Sequence, residues 1–232
     1  MQLQHLINTI YRATEGEGLF VGRAQIFVRY QGCNVGCVNC DSKETWDFDK
    51  KFQKSLDDIL LAIESEGYNG LIKNVSITGG DPLHPSHVPS VLELVKALKE
   101  RGYFVNIEAA GTRVVPEIFD LVDYISFDMK TPSTGVKTPV KNIVKMNEMY
   151  PGKFQLKCVV SDKTDFKAVY DAYKDVCQTQ ENLHFTWILT PCYNTNEAFP
   201  MERFIDVINW NEAIGGPFRV IGQQHKLSLI HI

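Results

Sequence analysis

The run Gly32-Cys33-Asn34-Val35-Gly36-Cys37-Val38-Asn39-Cys40-Asp41 sets three thiols within eight residues, spaced CxxxCxxC. Three soft ligands this close on a Gly- and Asn-rich loop suit one metal centre, and thiolates select zinc or iron–sulfur. Structural zinc is normally closed by four protein ligands. No fourth ligand is obvious nearby, with His84 or a distant cysteine the remaining candidates. Three cysteines leave one metal position open, as a cluster that binds substrate or cofactor requires. Cys158, Cys177 and Cys192 are scattered and read as small core residues.

Outward from that loop, apolar β-branched runs alternate with helical periodicity. Strands are expected at Ile26–Tyr30, Val75–Thr78, Phe104–Glu108, Tyr124–Phe127, Phe154–Val160, His184–Leu189 and Phe218–Ile221. Between them, apolar residues recur three and four apart. Leu56, Ile59, Leu60 and Ile63 form one stripe, opened by Ser55 as N-cap and closed near Gly67. Others run from Val88 to Leu98, from Phe166 to Tyr173 and from Phe204 to Ile208. This alternation predicts βαβ units and a mostly parallel sheet. Six or so units are too few for a closed eight-stranded barrel, so an open, partial (β/α)6-like barrel is expected. In such folds ligands sit at the carboxyl ends of the strands, where Cys33, Gly79-Gly80 and Glu108 fall.

A net charge of −4 gives no footprint for nucleic acid, and no apolar run approaches the length of a membrane span. The N-terminus lacks the charged and apolar regions of a signal peptide. A cytoplasmic protein with small-molecule partners is expected, its cysteines reduced and the cluster of three serving metal binding or catalysis rather than disulfides.

The CxxxCxxC loop after the first predicted strand resembles the signature of the radical S-adenosylmethionine (SAM) superfamily. Ser76-Ile77-Thr78-Gly79-Gly80-Asp81-Pro82 is similar to that superfamily's Gly-Gly-Glu-Pro motif. Thr14-Glu15-Gly16-Glu17-Gly18, Gly22-Arg23 and Phe27-Val28-Arg29 leading into Gly32-Cys33-Asn34 resemble, more narrowly, the 7-carboxy-7-deazaguanine synthase family. Cys40-Asp41-Ser42 with Thr45-Trp46, Glu108-Ala109-Ala110-Gly111-Thr112, Lys130-Thr131-Pro132-Ser133 and Gln223-Gln224-His225-Lys226 extend the likeness over nearly the whole chain.

That resemblance implies a 4Fe–4S cluster on Cys33, Cys37 and Cys40, with SAM chelating the unligated iron. Reductive cleavage then gives methionine and a 5′-deoxyadenosyl radical that abstracts a substrate hydrogen. The reaction implied turns 6-carboxy-5,6,7,8-tetrahydropterin into 7-carboxy-7-deazaguanine with loss of ammonia, in the 7-deazapurine (queuosine) route. Cofactor contacts are implied for Asn39, Cys40, Asp41, Gly79, Gly80, Asp81, Glu108, Asp128, Met129, Lys130, Thr190, Pro191, Cys192 and Tyr193. Substrate contacts are implied for Thr14, Glu15, Gly16, Glu17, Arg29, Thr78, Gln223 and His225, with Arg29 as a fork for the carboxylate. Ser42 would offer a hydroxyl to Mg2+. A flavodoxin or ferredoxin as electron donor and a homodimer are implied as well.

The chain departs from the family pattern at several points. Asp81 replaces Glu and shortens the reach, and Glu15 replaces Gln and reverses the polarity of one hydrogen bond. Phe127-Asp128-Met129-Lys130 replaces a common Ser-Pro-Lys, and Thr190-Pro191-Cys192-Tyr193 stands where Gln-Pro-Met is frequent. A glycyl-radical activase shares the cysteine spacing but has no reason to carry Glu15-Gly16-Glu17-Gly18. A non-enzymatic zinc or iron–sulfur module is the rival of another class. One domain is expected over residues 1–226. Leu227-Ser228-Leu229-Ile230-His231-Ile232 matches the translation of CTG-TCT-CTT-ATA-CAC-ATC, which resembles the transposon end of sequencing-library adapters, so this tail is expected to be foreign.

Overall fold

The structure, a computed structural model, describes residues 3–228, without the side chains of Leu227 and Ser228. The expectation of a foreign tail therefore concerns residues that lie, apart from the backbone of those two, outside the described ones. The chain divides into two compact units and crosses between them several times: residues 1–14, 24–36 and 40–125 make the first, and 15–23, 37–39 and 126–232 the second.

In the first unit β1 (His5–Thr14) and β2 (Ala24–Tyr30) form an antiparallel hairpin. The short β3 (Gln53–Lys54) pairs antiparallel with the start of β1, and α1 (Leu56–Glu66) follows. Then come β4 (Asn74–Gly79), α2 (Val88–Glu100), β5 (Phe104–Ala109) and α3 (Pro116–Phe119), and β6 (Tyr124–Asp128) leads into the second unit. The strand order is β3-β1-β2-β4-β5, with β2, β4 and β5 mutually parallel. The second unit continues with α4 (Val140–Met149), β7 (Phe154–Val160), α5 (Lys163–Thr179), β8 (Thr186–Pro191), α6 (Met201–Ala213), β9 (Arg219–Val220) and α7 (Gln224–Ser228). Its strand order is β6-β7-β8-β9, and β7, β8 and β9 are parallel. In chain order β4, β5, β6, β7 and β8 are each followed by a helix, and β2 by β3 and then α1, which makes six strand–helix units of a mostly parallel α/β fold.

The strands alternate with period two, and this sorts their faces. Ile26, Val28 and Tyr30 on β2 pair in register with Val75, Ile77 and Gly79, and these with Val105 and Ile107 on β5. The side chains of this face are fully buried, and α1 touches β1 and β2 while α2 touches β5. The other face carries Arg29 beside Thr78, and Ser76 beside Asn106. The second unit repeats the pattern. Leu156, Cys158 and Val160 pair with Trp187, Leu189 and Pro191 on the apolar face, while Gln155, Lys157 and Val159 pair with Thr186, Ile188 and Thr190 on the other. Tyr173 of α5 meets Trp187 edge-on at 5.6 Å, which places α5 over the apolar face. Cys158 is buried there under the Trp187 indole N–H, the core role expected for it, whereas Cys177 is exposed.

Most predicted elements form. Ser55 caps α1 by accepting the Asp58 N–H, and Gly67 ends it. Five elements were not anticipated: β1, β3, α3, α4 and α7. β1 buries few of its side chains and is bulged between Ile7 and Thr9, so its apolar alternation is weak. α4 buries only Ile143, Met146 and Asn147, too sparse a stripe to read.

Gly79-Gly80 serves the protein's own backbone. A Cβ on Gly79, whose φ is +132°, would strike the Tyr30 backbone, and one on Gly80 would strike the carbonyls of Gly32 and Thr45. Tyr30 O accepts from Gly80 N at 3.0 Å, Gly32 O from Asp81 N at 3.0 Å, and Thr45 O from Gly32 N at 2.7 Å. These bonds clamp the cysteine loop to the end of β4. Gly80→Ala should therefore lower stability by about 1–3 kcal/mol, the usual scale for overpacking. Iron bound per chain on reconstitution should fall with it. Thermal denaturation and iron assay check both, and an unchanged melting temperature would refute the clamp.

Candidate functional site

None of the six cysteines is in a disulfide, and in the cysteine loop Cys33, Cys37 and Cys40 are each half-buried. The Val35 N–H points at Cys33 Sγ and the Ser42 N–H at Cys40 Sγ, each at 3.4 Å. Burial pushes the Cys33 thiol above its ordinary pKa; the Val35 N–H opposes this, and the charges of Asp81 and Cys40 add to it. Among the described residues no three His, Cys, Asp or Glu side chains are gathered into a metal site. The donor set nevertheless fits a cluster: three reduced, accessible thiols on one short loop, two already receiving N–H donors. His84, the possible fourth ligand, instead bonds Asn34 Nδ2 through Nε2 at 3.2 Å and Ser86 Oγ through Nδ1 at 2.7 Å.

Around that loop in the first unit, Asp81 is almost fully buried. Its Oδ1 accepts the Leu83 N–H at 3.0 Å, and its Oδ2 is ion-paired with Arg113, a residue not anticipated from sequence. Glu108 Oε1 accepts from Asn106 Nδ2 at 2.9 Å, and that amide also reaches Ser76 Oγ. Arg29 donates from Nη1 to Ser42 Oγ at 2.9 Å and from Nη2 to Tyr11 Oη at 3.0 Å, with Thr78 beside it in register. Ser42 Oγ in turn donates to Asp41 Oδ1 at 3.2 Å. The predicted carboxylate fork and the predicted magnesium ligand are thus bonded to each other. Thr14 is exposed where β1 ends opposite Ala24.

In the second unit the turn at residues 15–23 meets the C-terminal segment. Glu15 folds back on its own backbone, its Oε1 accepting the N–H groups of Gly16 at 2.9 Å and Glu17 at 3.1 Å. Gly16 carries no Cβ because the His225 ring occupies that space, and its carbonyl accepts from Gln224 N at 2.8 Å. Glu17 Oε1 accepts from Gln223 Nε2 at 2.7 Å, and Gln223 Oε1 accepts from Tyr193 N at 3.1 Å. The structure thus gathers Gly16, Glu17, Gln223 and His225 and ties Tyr193 to them.

One residue of this group was missed. Lys157, on the polar face of β7, places Nζ 2.7 Å from Glu17 Oε2 and 3.7 Å from Asp128 Oδ1. Asp128 Oδ2 accepts from Lys130 Nζ at 2.8 Å. Burial alone would raise the Glu17 pKa, but Lys157 and then His225 overcome it and hold the carboxyl at about 2. Burial likewise opposes the Lys130 ammonium, yet Asp128, with a contribution from Cys37, raises its pKa. Cys37 and Lys130 therefore share one neighbourhood, where Thr134 O also accepts the Val38 N–H at 2.9 Å. Two buried polar atoms here lack a hydrogen-bond partner: Asp128 Oδ1 and Thr190 Oγ1. Both belong to residues implied as cofactor contacts at strand ends, and orphaned buried groups of this kind suit a polar ligand. Met129 is buried, its N–H bonded to Lys157 O. Cys192 is half-buried, with its carbonyl accepting from Arg203. Asn39 and Asp41 are exposed.

The signal that would have found Lys157 is the alternation itself. Strands of a parallel sheet covered on both faces read as continuous apolar runs. Ser126/Asp128 and Gln155/Lys157, like Ser76/Thr78 and Asn106/Glu108, break that pattern at every second position.

A model of the Radical SAM superfamily matches residues 27–157. A 7-carboxy-7-deazaguanine synthase from Escherichia coli (strain K12) is 34% identical over 131 residues, covering 49% of this chain and 56% of the relative, so the match spans just over half that protein's length. One from Pyrobaculum aerophilum is 32% identical over 164 residues, covering 69% of this chain and 68% of the relative. The crystal structure of QueE from Escherichia coli shares the fold, with a TM-score of 0.69 at 24% identity over 96% of this chain and 95% of that one. With its α/β topology, its cysteine loop and these relatives, the chain belongs to the 7-carboxy-7-deazaguanine synthase family of the radical SAM superfamily.

Proposed function

We propose that this chain converts 6-carboxy-5,6,7,8-tetrahydropterin into 7-carboxy-7-deazaguanine with loss of ammonia. The observation that carries the reading is Glu17, a half-buried carboxylate kept ionised with one oxygen on Gln223 and the other on Lys157. Each oxygen retains a lone pair for an N–H donor, and a pterin presents a fixed edge of amide and amino N–H groups. Arg29 supplies the complementary charge for the substrate carboxylate, its guanidinium oriented by Tyr11 and Ser42.

Cys33, Cys37 and Cys40 would hold the cluster, and Gly79, Gly80, Asp81, Glu108, Asp128 to Lys130 and Thr190 to Tyr193 the SAM. Bound there, cluster and SAM supply a 5′-deoxyadenosyl radical. The chain's own residues bind and orient: Asp81 fixes Arg113, Ser76 and Asn106 fix Glu108, and Lys130 balances the Asp128 charge. Ser42 offers its oxygen to Mg2+ beside Asp41. A flavodoxin or ferredoxin as one-electron donor and a homodimeric assembly complete the proposal. Among the described residues no helix is long and apolar enough to cross a membrane.

The deciding experiment is anaerobic turnover of the reconstituted protein with the carboxytetrahydropterin, SAM and magnesium, expected to release ammonia and the deazaguanine. Replacing Cys33, Cys37 or Cys40 by Ser should abolish SAM cleavage, and full activity in any one variant contradicts the ligand assignment. Arg29→Lys should weaken substrate binding by about 1.5–3 kcal/mol, because a point charge cannot reproduce the fork. Its effect on SAM affinity should be small; equal losses would place Arg29 elsewhere than on the substrate carboxylate. Ser42→Ala should raise the magnesium requirement and leave the cluster spectrum unaltered, whereas an unchanged magnesium titration would reduce Ser42 to a support for Arg29.

A further inference from the structure

We propose that Lys157 is a positioning residue that holds Glu17 as an ionised acceptor facing the N–H edge of the bound heterocycle. The proposal deepens the synthase reading and rests on it for the identity of that heterocycle. Lys157 projects from the middle of β7, flanked along the strand by the fully buried Leu156 and Cys158, and is itself only 8% exposed. Its ammonium lies 2.7 Å from Glu17 Oε2, a partner 140 residues away in sequence. The charged and titratable groups facing Glu17 are Lys157 from β7 and His225 from α7, with Gln223 as a neutral partner. Those facing Lys157 include Glu17 and Asp128, and Lys130, which shares Asp128, is close enough to feel the Lys157 charge. Two carboxylates and two ammonium groups thus alternate as Glu17–Lys157–Asp128–Lys130.

Stability alone gives little reason for this arrangement, since buried ion pairs are rarely better than apolar packing of the same volume. Polarity gives a specific one. Desolvation pushes a carboxyl as enclosed as Glu17 toward its protonated form. It would then present an O–H donor where the ligand presents N–H donors, exchanging attraction for donor–donor conflict. Lys157 prevents that exchange, and Asp128 keeps the ammonium from being a lone buried charge in its turn. His225 is a weaker substitute, because an imidazole loses its charge within the range in which enzymes work.

The test uses the full-length protein labelled with 13C at the glutamate carboxyl carbons, the Glu17 resonance being assigned by its loss in Glu17→Gln. Its titration is followed by NMR between about pH 5 and 8, around the ordinary carboxylate and imidazole ranges, in wild type, Lys157→Gln and Lys157→Arg. Affinity for the carboxytetrahydropterin is measured at both ends of the range. In wild type Glu17 should stay ionised throughout, as a pKa of about 2 requires. Lys157→Gln should bring its titration into the window and weaken pterin binding about tenfold or more, most at the acidic end. Lys157→Arg should restore both. If Lys157→Gln does not fold, the Lys157→Gln/Asp128→Asn pair, which removes an anion together with the cation, takes its place. A Glu17 that stays ionised without the lysine overturns the proposal whatever the pterin does. A Glu17 titration that follows Lys157, in a wild type that binds no pterin, upholds the positioning role and defeats the synthase reading instead.

Discussion

Everything in this molecule depends on strands that are apolar on one face and polar on the other. Ile26, Val28, Ile77, Ile107, Leu156 and Leu189 bury completely on the face that the helices cover, each worth about 1.5–3 kcal/mol of transfer. That burial fixes register, because a slip of one residue would turn every one of these side chains to the wrong face. Once register is fixed, Arg29, Thr78, Asn106, Glu108, Asp128, Gln155 and Lys157 have no choice of face. The site is a consequence of the core.

A polar face inside a fold is costly unless its groups find partners. Here they largely find one another: Asn106 with Ser76 and Glu108, Gln155 with Ser126, and Lys157 with Glu17 and Asp128. Asp128 Oδ1, Thr190 Oγ1 and Asn106 Oδ1 are left over. Within each unit, polar groups satisfied except at a few atoms are held rigidly and can still take a polar partner.

Two turns carry most of the chemistry, and each is held by close backbone approach. Gly79-Gly80 lets the end of β4 touch the cysteine loop, and Gly16 lets the acidic turn touch His225. In the first contact the space a Cβ would need is filled by the protein's own backbone. Asp81 and Glu15, two of the departures from the family motifs, are likewise engaged internally, by Leu83 and Arg113 in one case and by the Gly16 and Glu17 N–H groups in the other.

Local chemistry carried by neighbouring residues was open to reading from the chain alone. CxxxCxxC marked three candidate metal ligands, Ser55 and Gly67 bracketed α1, and the apolar stripes located α1, α2, α5 and α6. The six strand–helix units followed, because period and capping are properties of a few consecutive residues. Weakly patterned elements did not follow: β1 draws its place from pairing with β2, and α4 from a narrow buried stripe. Tertiary structure alone decided that Lys157 meets Glu17, that Arg113 meets Asp81 and that Arg29 shares Ser42 with Asp41. Those pairings join residues up to 140 positions apart, and no local periodicity encodes a distance that only the packed sheet makes short.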